Sequence, residues 1–295
     1  MILRFAFALL SAGALAAAGT PPKLDVVPAP KQVSFEEGAF AIDQYAIVLV
    51  SEEATWGTRV AARAVQLGLR ERLGIDVSIA RISEWKKLGA RKAIWVIEPR
   101  LMRPPERTIG VEGLAFSPEM VAEGYFIRVD AIETVIHGAS DAGSYYGAQT
   151  FLQLIRPPRA GSLFHKARGP SVPCLWIADW PTHAVRTVPA EIKMPSEPEA
   201  AASFLKLAAH CKFNGFARSA LPAGEPLRER LTEAMRFCPI RLVDGAPSLS
   251  GETPLARAAR AAAEKGLTRE ALADAGEEAW GPPGHGGLAG ARESR

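Results

Sequence analysis

The sequence EGYFIRVDAIETVIHGASDAGSYYGAQTFLQLI, residues 123–155, decides the fold, because strand, hairpin and helix signals follow one another in it without a gap. Tyr125, Ile127 and Val129 recur at every second position, which is typical of a strand with one buried face. Residues 134–139 are rich in β-branched side chains and follow after a short connection. The two segments therefore predict an antiparallel hairpin.

The pattern then changes to that of a helix. Gly138 breaks the strand, and Ser140 or Asp141 can accept hydrogen bonds from the first amides of a helix. Apolar residues recur at helical spacing on one face, namely Tyr145, Ala148, Leu152 and Ile155. The helix is expected to end before residues 156–158, because two prolines follow Arg156.

The order of these signals resembles a known family. EGY, a strand and then G-x-x-x-x-G-x-x-Y-G-A-Q-T-x-x-Q-L-I is similar to the end of the small α/β domain that precedes the catalytic barrel in glycoside hydrolase family 20, the β-N-acetylhexosaminidases. Similar domains precede the barrels of family 84 and of the α-glucuronidases. The resemblance therefore fixes the domain better than the enzyme.

The preceding residues complete an α+β domain. Ala46–Val50 forms a strand, a helix runs from the cap Ser51 to near Gly74 with Trp56 in the core, and further strands follow at 75–82 and 93–98. With the two strands of the hairpin this gives a βαββββ order closed by a helix. We predict, over residues 19–158, a small mostly antiparallel sheet with helices on one face.

Composition and charge limit the domain count and the partners that the chain can be expected to have. The chain has 295 residues, a net charge of +3 and 48% hydrophobic residues, enough for one large domain or two modest ones. The positive charge is spread out, so we expect no nucleic-acid partner, and no motif indicates a cofactor. Cys174, Cys211 and Cys238 leave open one disulfide plus a free thiol, or three buried thiols. We expect no zinc site with His210, because adjacent ligands on one helix point in different directions.

The first residues have the features of a secretory signal. Residues 1–18 contain Arg4, an apolar run from Phe5 to Leu15, and small residues up to Ala18. The apolar run is too short for a stable membrane span, although an uncleaved anchor is the alternative. We therefore predict a signal peptide at 1–18 and a secreted or periplasmic protein.

Residues 159–178 hold several Pro and Gly residues without an apolar period, which predicts a linker. The segment Asp179-Trp180-Pro181 is similar to the one that leads into the first strand of an eight-stranded βα barrel in family 20. The resemblance implies that Arg186 contacts sugar hydroxyls. The chain departs from the family at Thr187, where glycine is usual, and at Glu191, where aspartate is typical.

A second barrel unit is expected after this strand. Ser196-x-x-Glu199 predicts a capping box, and Lys212-Phe213-Asn214 resembles the start of the second barrel strand. Residues 215–219 lack the histidine and aspartate that are usual there. A barrel needs on the order of 250 residues, and fewer than half of those follow Asp179. We therefore expect an incomplete βα-barrel segment at 179–275 and a disordered tail at 276–295.

The catalytic residues of the family have no counterpart. Family 20 enzymes use the substrate's own acetamido oxygen as nucleophile, and an adjacent Asp-Glu pair orients it and supplies the acid. The sequence contains no Asp-Glu dipeptide, nor the Asp-Asp of family 84. We predict no catalytic residue and no metal ligand, and Arg186 is the predicted substrate contact.

Three hypotheses remain open. The chain is an exported relative of β-N-acetylhexosaminidases with a truncated or degenerate catalytic part, and an amino-sugar glycan as its partner. Alternatively it is a non-catalytic module that binds a glycan or a partner, or the product of a gene fragment. A half barrel exposes strand edges, so oligomers are expected if this part self-associates.

Overall fold

A computed structural model describes residues 24–87, 92–97, 116–158, 169–188, 194–217, 229, 231, 233–236 and 238–243. The predictions of a signal peptide at 1–18 and of a disordered tail at 276–295 lie outside these residues. In the described part of the chain, no helix has the length and apolar character to cross a membrane.

The described residues form strands and helices in the following order. They are β1 (Gln32–Ala41), β2 (Ala46–Val50), α1 (Trp56–Leu73), β3 (Ser78–Arg81), a 3₁₀ helix (Ile82–Lys87), β4 (Lys92–Ile97), β5 (Tyr125–Val129), β6 (Glu133–Gly138), α2 (Asp141–Leu154), β7 (Ser171–Asp179), β8 (Thr187–Val188), α3 (Pro198–His210), β9 (Gly215–Ala217) and β10 (Arg241–Val243).

Seven of these strands form one mixed sheet in the order β1-β7-β5-β6-β4-β2-β3. The pairs from β1 to β6 are antiparallel, and those from β6 to β3 are parallel. Both α1 and α2 pack on the same face, where they share the main apolar core with alternate side chains of the strands. The predicted α+β fold with helices on one face, and the predicted β5–β6 hairpin, are confirmed.

The predicted linker is wrong from residue 171 onward, because β7 lies between β1 and β5 in the sheet. Leu175 and Ile177 on β7 are buried in the main core. Pro173 hides the strand signal, since proline lacks the amide that a strand interior needs. Pro173 pairs with Ala39 at the edge of a register shift in β1, where the sheet is irregular and the missing amide is tolerated.

The N-terminus of α1 and its buried face also differ from expectation. Thr55, not Ser51, caps the helix, because its hydroxyl accepts the amide of Thr58 at 3.2 Å. Trp56 is 63% exposed, so its predicted place in the core is wrong. The buried side of α1 holds mostly small residues, Thr58, Ala61, Ala62, Val65, Gly68 and Leu69, which allow close approach to α2. Val60, Ala64 and Leu67, on the neighbouring side of α1, line a cavity of about 570 Å³ between the three helices.

The start of α3 is not the predicted capping box. Glu197 is the N-cap and its side chain makes no capping hydrogen bond, while Pro198 occupies the first turn. Proline is favoured there because its fixed backbone angle suits a helix start and its missing amide has no partner to lose.

The second sheet has the order β10-β9-β8 and all its pairs are parallel. The helix α3 connects the parallel strands β8 and β9, as in a βαβ unit. The strands lie where the sequence predicted the first barrel strands. The barrel itself stays a prediction.

Close packing at Gly143 provides a test of this fold. A Cβ at this position would lie 2.2 Å from the carbonyl oxygen of Gly124, which also accepts the amide of Ala139 at 2.8 Å and is therefore held in place. We expect Gly143→Ala to lower the free energy of unfolding by about 1–3 kcal/mol, although alanine favours helices. Urea unfolding followed by circular dichroism measures this.

Gly169→Ala is the matched control, because a Cβ there would meet no atom within 4 Å. Its effect should stay within about 0.5 kcal/mol. Equal stability of the two variants would show that α2 does not pack this closely on the loop before β5.

Candidate functional site

A buried ion pair joins the two sheets. Asp179 ends β7 and Lys212 follows α3, and both side chains have no exposed surface. Lys212 Nζ lies 3.1 Å from Asp179 Oδ2 and donates to the hydroxyl oxygen of Tyr125 at 2.8 Å. Tyr125 in turn donates to Asp179. Asp179 Oδ1 accepts the amides of Lys31 at 3.1 Å and Trp180 at 3.0 Å, so both oxygens of the carboxylate are hydrogen-bonded.

Lys212 occupies an unusual backbone position. Its φ is 65°, in the left-handed region that favours glycine. The amides of Lys212 and Phe213 bond the carbonyls of Ala209 and Ala208 at 3.0 Å each. This is the Schellman pattern that ends many helices, usually with glycine at the position of Lys212. A lysine is unusual at this position, and its side chain pairs with Asp179.

Burial is the main influence on the ionisation of these groups. It raises the pKa of Asp179, and the charge of Lys212 opposes this rise. Burial likewise lowers the pKa of Lys212, against the attraction of Asp179. The pKa of Tyr125 is raised by burial and by the charge of Asp179, so its hydroxyl stays protonated and donates. Burial therefore opposes both charges, and the charged pair depends on the attraction between Asp179 and Lys212 and on the hydrogen bonds that Asp179 accepts.

A second ion pair lies beside the first. Arg186 precedes β8 and is 2% exposed, and its guanidinium pairs with Glu123, the residue before Gly124. Arg186 Nε donates to the carbonyl of Lys212 at 2.9 Å and Nη1 to that of His183 at 2.7 Å. Asn214 ties the group together, since its Nδ2 donates to Glu123 Oε1 at 2.9 Å and its Oδ1 accepts the Arg186 amide at 2.8 Å.

The two ion pairs and Asn214 form one cluster between the two sheets, called the joint, and polar side chains of α2 complete it. Thr150 Oγ1 lies 2.7 Å from the hydroxyl of Tyr125, and the ring centroid of Tyr146 lies 5.5 Å from Arg186. Gln149 Oε1 lies 2.8 Å from His210 Nδ1, which therefore donates. The amide of Gln153 donates to the carbonyl of His210 at 3.1 Å. These four α2 residues follow the i, i+3, i+4, i+7 spacing of one helix face.

The structure brings the predicted substrate contact Arg186 into this joint. Its sugar contact stays a prediction. Sequence reasoning missed Glu123, Tyr125 and the polar face of α2 as members of the cluster. The signal was present, because Y-G-A-Q-T-x-x-Q places polar residues at helical spacing on a segment that was treated as core.

Other residues that could bind a metal or stack on a sugar are not part of the joint. All three cysteines are free thiols, and no group of three metal-binding side chains occurs in the part of the chain that the structure describes. His137 is buried in β6, with its ring 4.9 Å from that of Phe116. Phe213 is core, whereas Trp176 and Trp180 are half-buried on the sheet face opposite α1 and α2.

Comparison with known proteins agrees with this architecture. The description "Glycosyl hydrolase family 20, domain 2" matches residues 23–180, more than half of the chain. The chain belongs to glycosyl hydrolase family 20. The matched residues of this family 20 chain contain β1 to β7 and both helices of the first sheet. No curated protein sequence matches the chain.

Solved structures share the fold of the family 20 chain. A Flavobacterium johnsoniae chitobiase has 18% identity and a TM-score of 0.52, with 75% of this chain and 34% of the chitobiase covered. A Vibrio harveyi exo-β-N-acetylglucosaminidase bound to N-acetylglucosamine has 15% identity and a TM-score of 0.50, covering 74% and 35%. A protein named CpGH84B has 17% identity and a TM-score of 0.52, covering 83% and 42%. The chain thus spans well under half the length of these structures.

The geometry of the joint leads to a test by mutation. Lys212→Met removes the cation and leaves Asp179 buried without its charge partner, which should cost about 3–5 kcal/mol of unfolding free energy. Adding Asp179→Asn to Lys212→Met should recover part of this loss, because the buried charge is then gone. Urea unfolding of the three proteins measures both effects.

The exposed pair Lys206–Glu71 provides the control. Its atoms are 3.9 Å apart and its side chains are 72% and 62% exposed. Lys206→Met should change the free energy of unfolding by less than about 0.5 kcal/mol. A Lys212→Met variant no less stable than Lys206→Met would contradict a closed joint between the sheets.

Proposed function

We propose that this family 20 chain recognises glycans that end in N-acetyl-β-hexosamine outside the cytoplasm, and that its catalytic part is degenerate. Family membership supports the carbohydrate class. The neighbours of similar fold include a chitobiase and an exo-β-N-acetylglucosaminidase. The chain itself therefore binds the terminal sugar without hydrolysing it.

The buried joint is the observation that carries this proposal. It connects the small domain to the residues just before β8 and β9, so the two parallel strands start from a fixed platform. Parallel strands with a helix between them are the units of a βα barrel, whose substrates bind at the carboxyl ends of the strands. The joint, with Arg186, lies at the amino ends of β8 and β9, so it fixes the direction in which both strands run toward such a site.

Arg186 is the proposed sugar contact, on the side of Glu123. The Glu123 side chain is 15% exposed, whereas that of Arg186 has no exposed surface. The other guanidinium bonds go to backbone carbonyls of Lys212 and His183. The guanidinium is closed to solvent in this structure, so we propose that a sugar hydroxyl contacts Arg186 only when the Glu123 side chain moves away from it.

The proposed lack of hydrolysis is supported by the surroundings of Asp179. A glycosidase of this type needs a carboxylic acid within hydrogen-bond reach of the glycosidic oxygen. Asp179 has a raised pKa, as an acid catalyst requires, but it is fully buried and bonded to Lys212 and Tyr125. Phe216 and Ala217 on β9 are buried apolar residues, in the segment where the family resemblance predicted a histidine and an aspartate.

Hydrolysis and binding are tested together on the purified full chain. We expect no release of nitrophenol from 4-nitrophenyl N-acetyl-β-glucosaminide above the uncatalysed rate. N-acetylglucosamine at millimolar concentration should raise the unfolding temperature of the chain, since a ligand that binds only the folded state stabilises it.

Arg186→Lys should abolish this thermal shift, because lysine lacks the planar fork of arginine. Arg59→Lys, an exposed change on α1, should keep it. Turnover that is lost in Arg186→Lys would mean a working site with a substitute acid, and would overturn the degenerate-enzyme proposal. No thermal shift in the unmodified chain would overturn the terminal-sugar site.

Export is tested by the mature N-terminus. We expect the chain made in a secreting host to begin at Gly19, since Ala16 and Ala18 suit a signal peptidase. Ala16→Lys should block this processing, whereas Thr20→Ala should not. N-terminal sequencing that finds residues 1–18 in the exported protein would contradict cleavage and favour the uncleaved anchor.

A further inference from the structure

The cavity between α1, α2 and α3 is a long slot. Its wall on α1 runs from Val60 to Arg72 in steps of one helical turn, so it follows one side of the helix for about 18 Å at a rise of about 1.5 Å per residue. A volume of about 570 Å³ over that length gives a mean cross-section of about 30 Å², roughly 6 Å across. A single alkyl chain fits such a slot. A helix, which measures about 10–12 Å across with its side chains, does not.

Apolar side chains from all three helices line the slot, namely Val60, Ala64, Leu67, Tyr145, Leu152 and Leu207. Those of α1 are half-buried, so part of their apolar surface is in contact with solvent inside the slot. Ligand sites of this size are mostly apolar, with a few polar groups that fix the orientation of the ligand. Burial of this surface by an apolar occupant is favourable, because it removes the surface from water.

The charged residues that line the slot are mostly cations. Lys206 of α3 pairs with Glu71 of α1 at 3.9 Å, so the charges of these two residues match. Arg63 donates to the side-chain oxygen of Gln66, which is neutral, and it makes no ion pair among the described residues. Together with Arg72 this leaves an excess of positive charge, which favours an occupant with an anionic group.

Arg63 is better placed than Arg72 to bind this anion. Arg72 Nη1 donates to the carbonyl oxygen of Leu152 at 2.7 Å, and Nη2 lies 3.2 Å from His210 Nε2. All three helices end around this point. The C-terminal ends of helices carry partial negative charge, which repels an anion. Arg63 lies on the same side of the slot about 13 Å earlier on α1, away from these ends.

We propose that the slot binds a linear alkyl carboxylate, such as a medium-chain fatty acid. Its carboxylate pairs with Arg63, and its chain lies along Ala64, Leu67 and Leu152 toward Arg72. A guanidinium binds a carboxylate through two parallel N–H···O bonds. The distance of about 13 Å from Arg63 to Arg72 corresponds to an extended chain of about ten carbons. Arg186 does not line the slot, so this site is separate from the proposed sugar contact.

Isothermal titration calorimetry of the full chain with decanoate tests the proposal. Hexanoate should bind at least about tenfold more weakly than decanoate, because it buries four fewer methylene groups. Decanol should bind at least about fivefold more weakly, since it has the same chain but no charge to pair with Arg63. The proposal is overturned if decanoate gives no binding heat, or if hexanoate binds as tightly as decanoate.

Arg63→Met removes the charge and keeps an apolar side chain on α1. We expect it to weaken decanoate binding by about tenfold and to leave decanol binding unchanged. Arg70→Met is the matched control, because Arg70 is an exposed arginine of α1 outside the slot. It should change the Kd for decanoate by less than about twofold. Equal weakening by the two variants would show that Arg63 does not hold the carboxylate.

Ala64→Phe places a large side chain in the slot itself. It should abolish decanoate binding while the circular dichroism spectrum stays unchanged, because Ala64 is half-buried and borders open space. Decanoate binding that persists in this variant would place the ligand elsewhere and contradict the proposal. Sedimentation of both proteins adds a further check. A dimer that Ala64→Phe dissociates, without decanoate binding to the unmodified chain, would show that a second copy covers the slot instead.

Discussion

The buried pair between Asp179 and Lys212 is the interaction on which the rest of the structure depends. Two charges removed from water are stable only when their hydrogen-bonding atoms are matched, and here the match requires Tyr125 as well. The three residues come from β5, the end of β7 and the turn after α3. The sheets are therefore joined by a contact that forms only when all three segments are in place. Such a contact favours one arrangement over near alternatives.

The family motif on α2 takes its meaning from this joint. Its glycines allow close approach, as Gly143 does against the carbonyl of Gly124. Its polar residues Tyr146, Gln149, Thr150 and Gln153 meet the second sheet and its connections. The opposite side of α2 packs on α1, so the helix is buried from residue 143 to its end. The polar side of such a helix can be buried as well as its apolar side when its polar groups are hydrogen-bonded.

The two faces of the seven-stranded sheet carry different residues. One face carries the helices and, through α2, positions Arg186 and the start of β8. The other carries Trp176 beside an ion pair without net charge. Membership of family 20 and the shared fold give the carbohydrate context, but chemistry depends on sites and not on folds. The joint is closed to solvent, since both side chains of the Asp179–Lys212 pair are fully buried.

Local sequence determined the hairpin, the position of α2 with its cap Ser140, and the α+β class, because strand alternation, turn residues and helix spacing act over a few neighbours. It also predicted that Lys212-Phe213-Asn214 leads into a strand. Only tertiary structure decided that β7 joins the sheet despite Pro173, since a bulge in a distant strand absorbs the missing amide. It likewise decided that small residues of α1 are buried while Trp56 is exposed, because α2 lies so close to α1 that only small side chains fit between the two helices. Lys212 ends α3 in a backbone conformation typical of glycine and pairs with Asp179, 33 residues away, and no local pattern records such a contact because it joins distant parts of the chain.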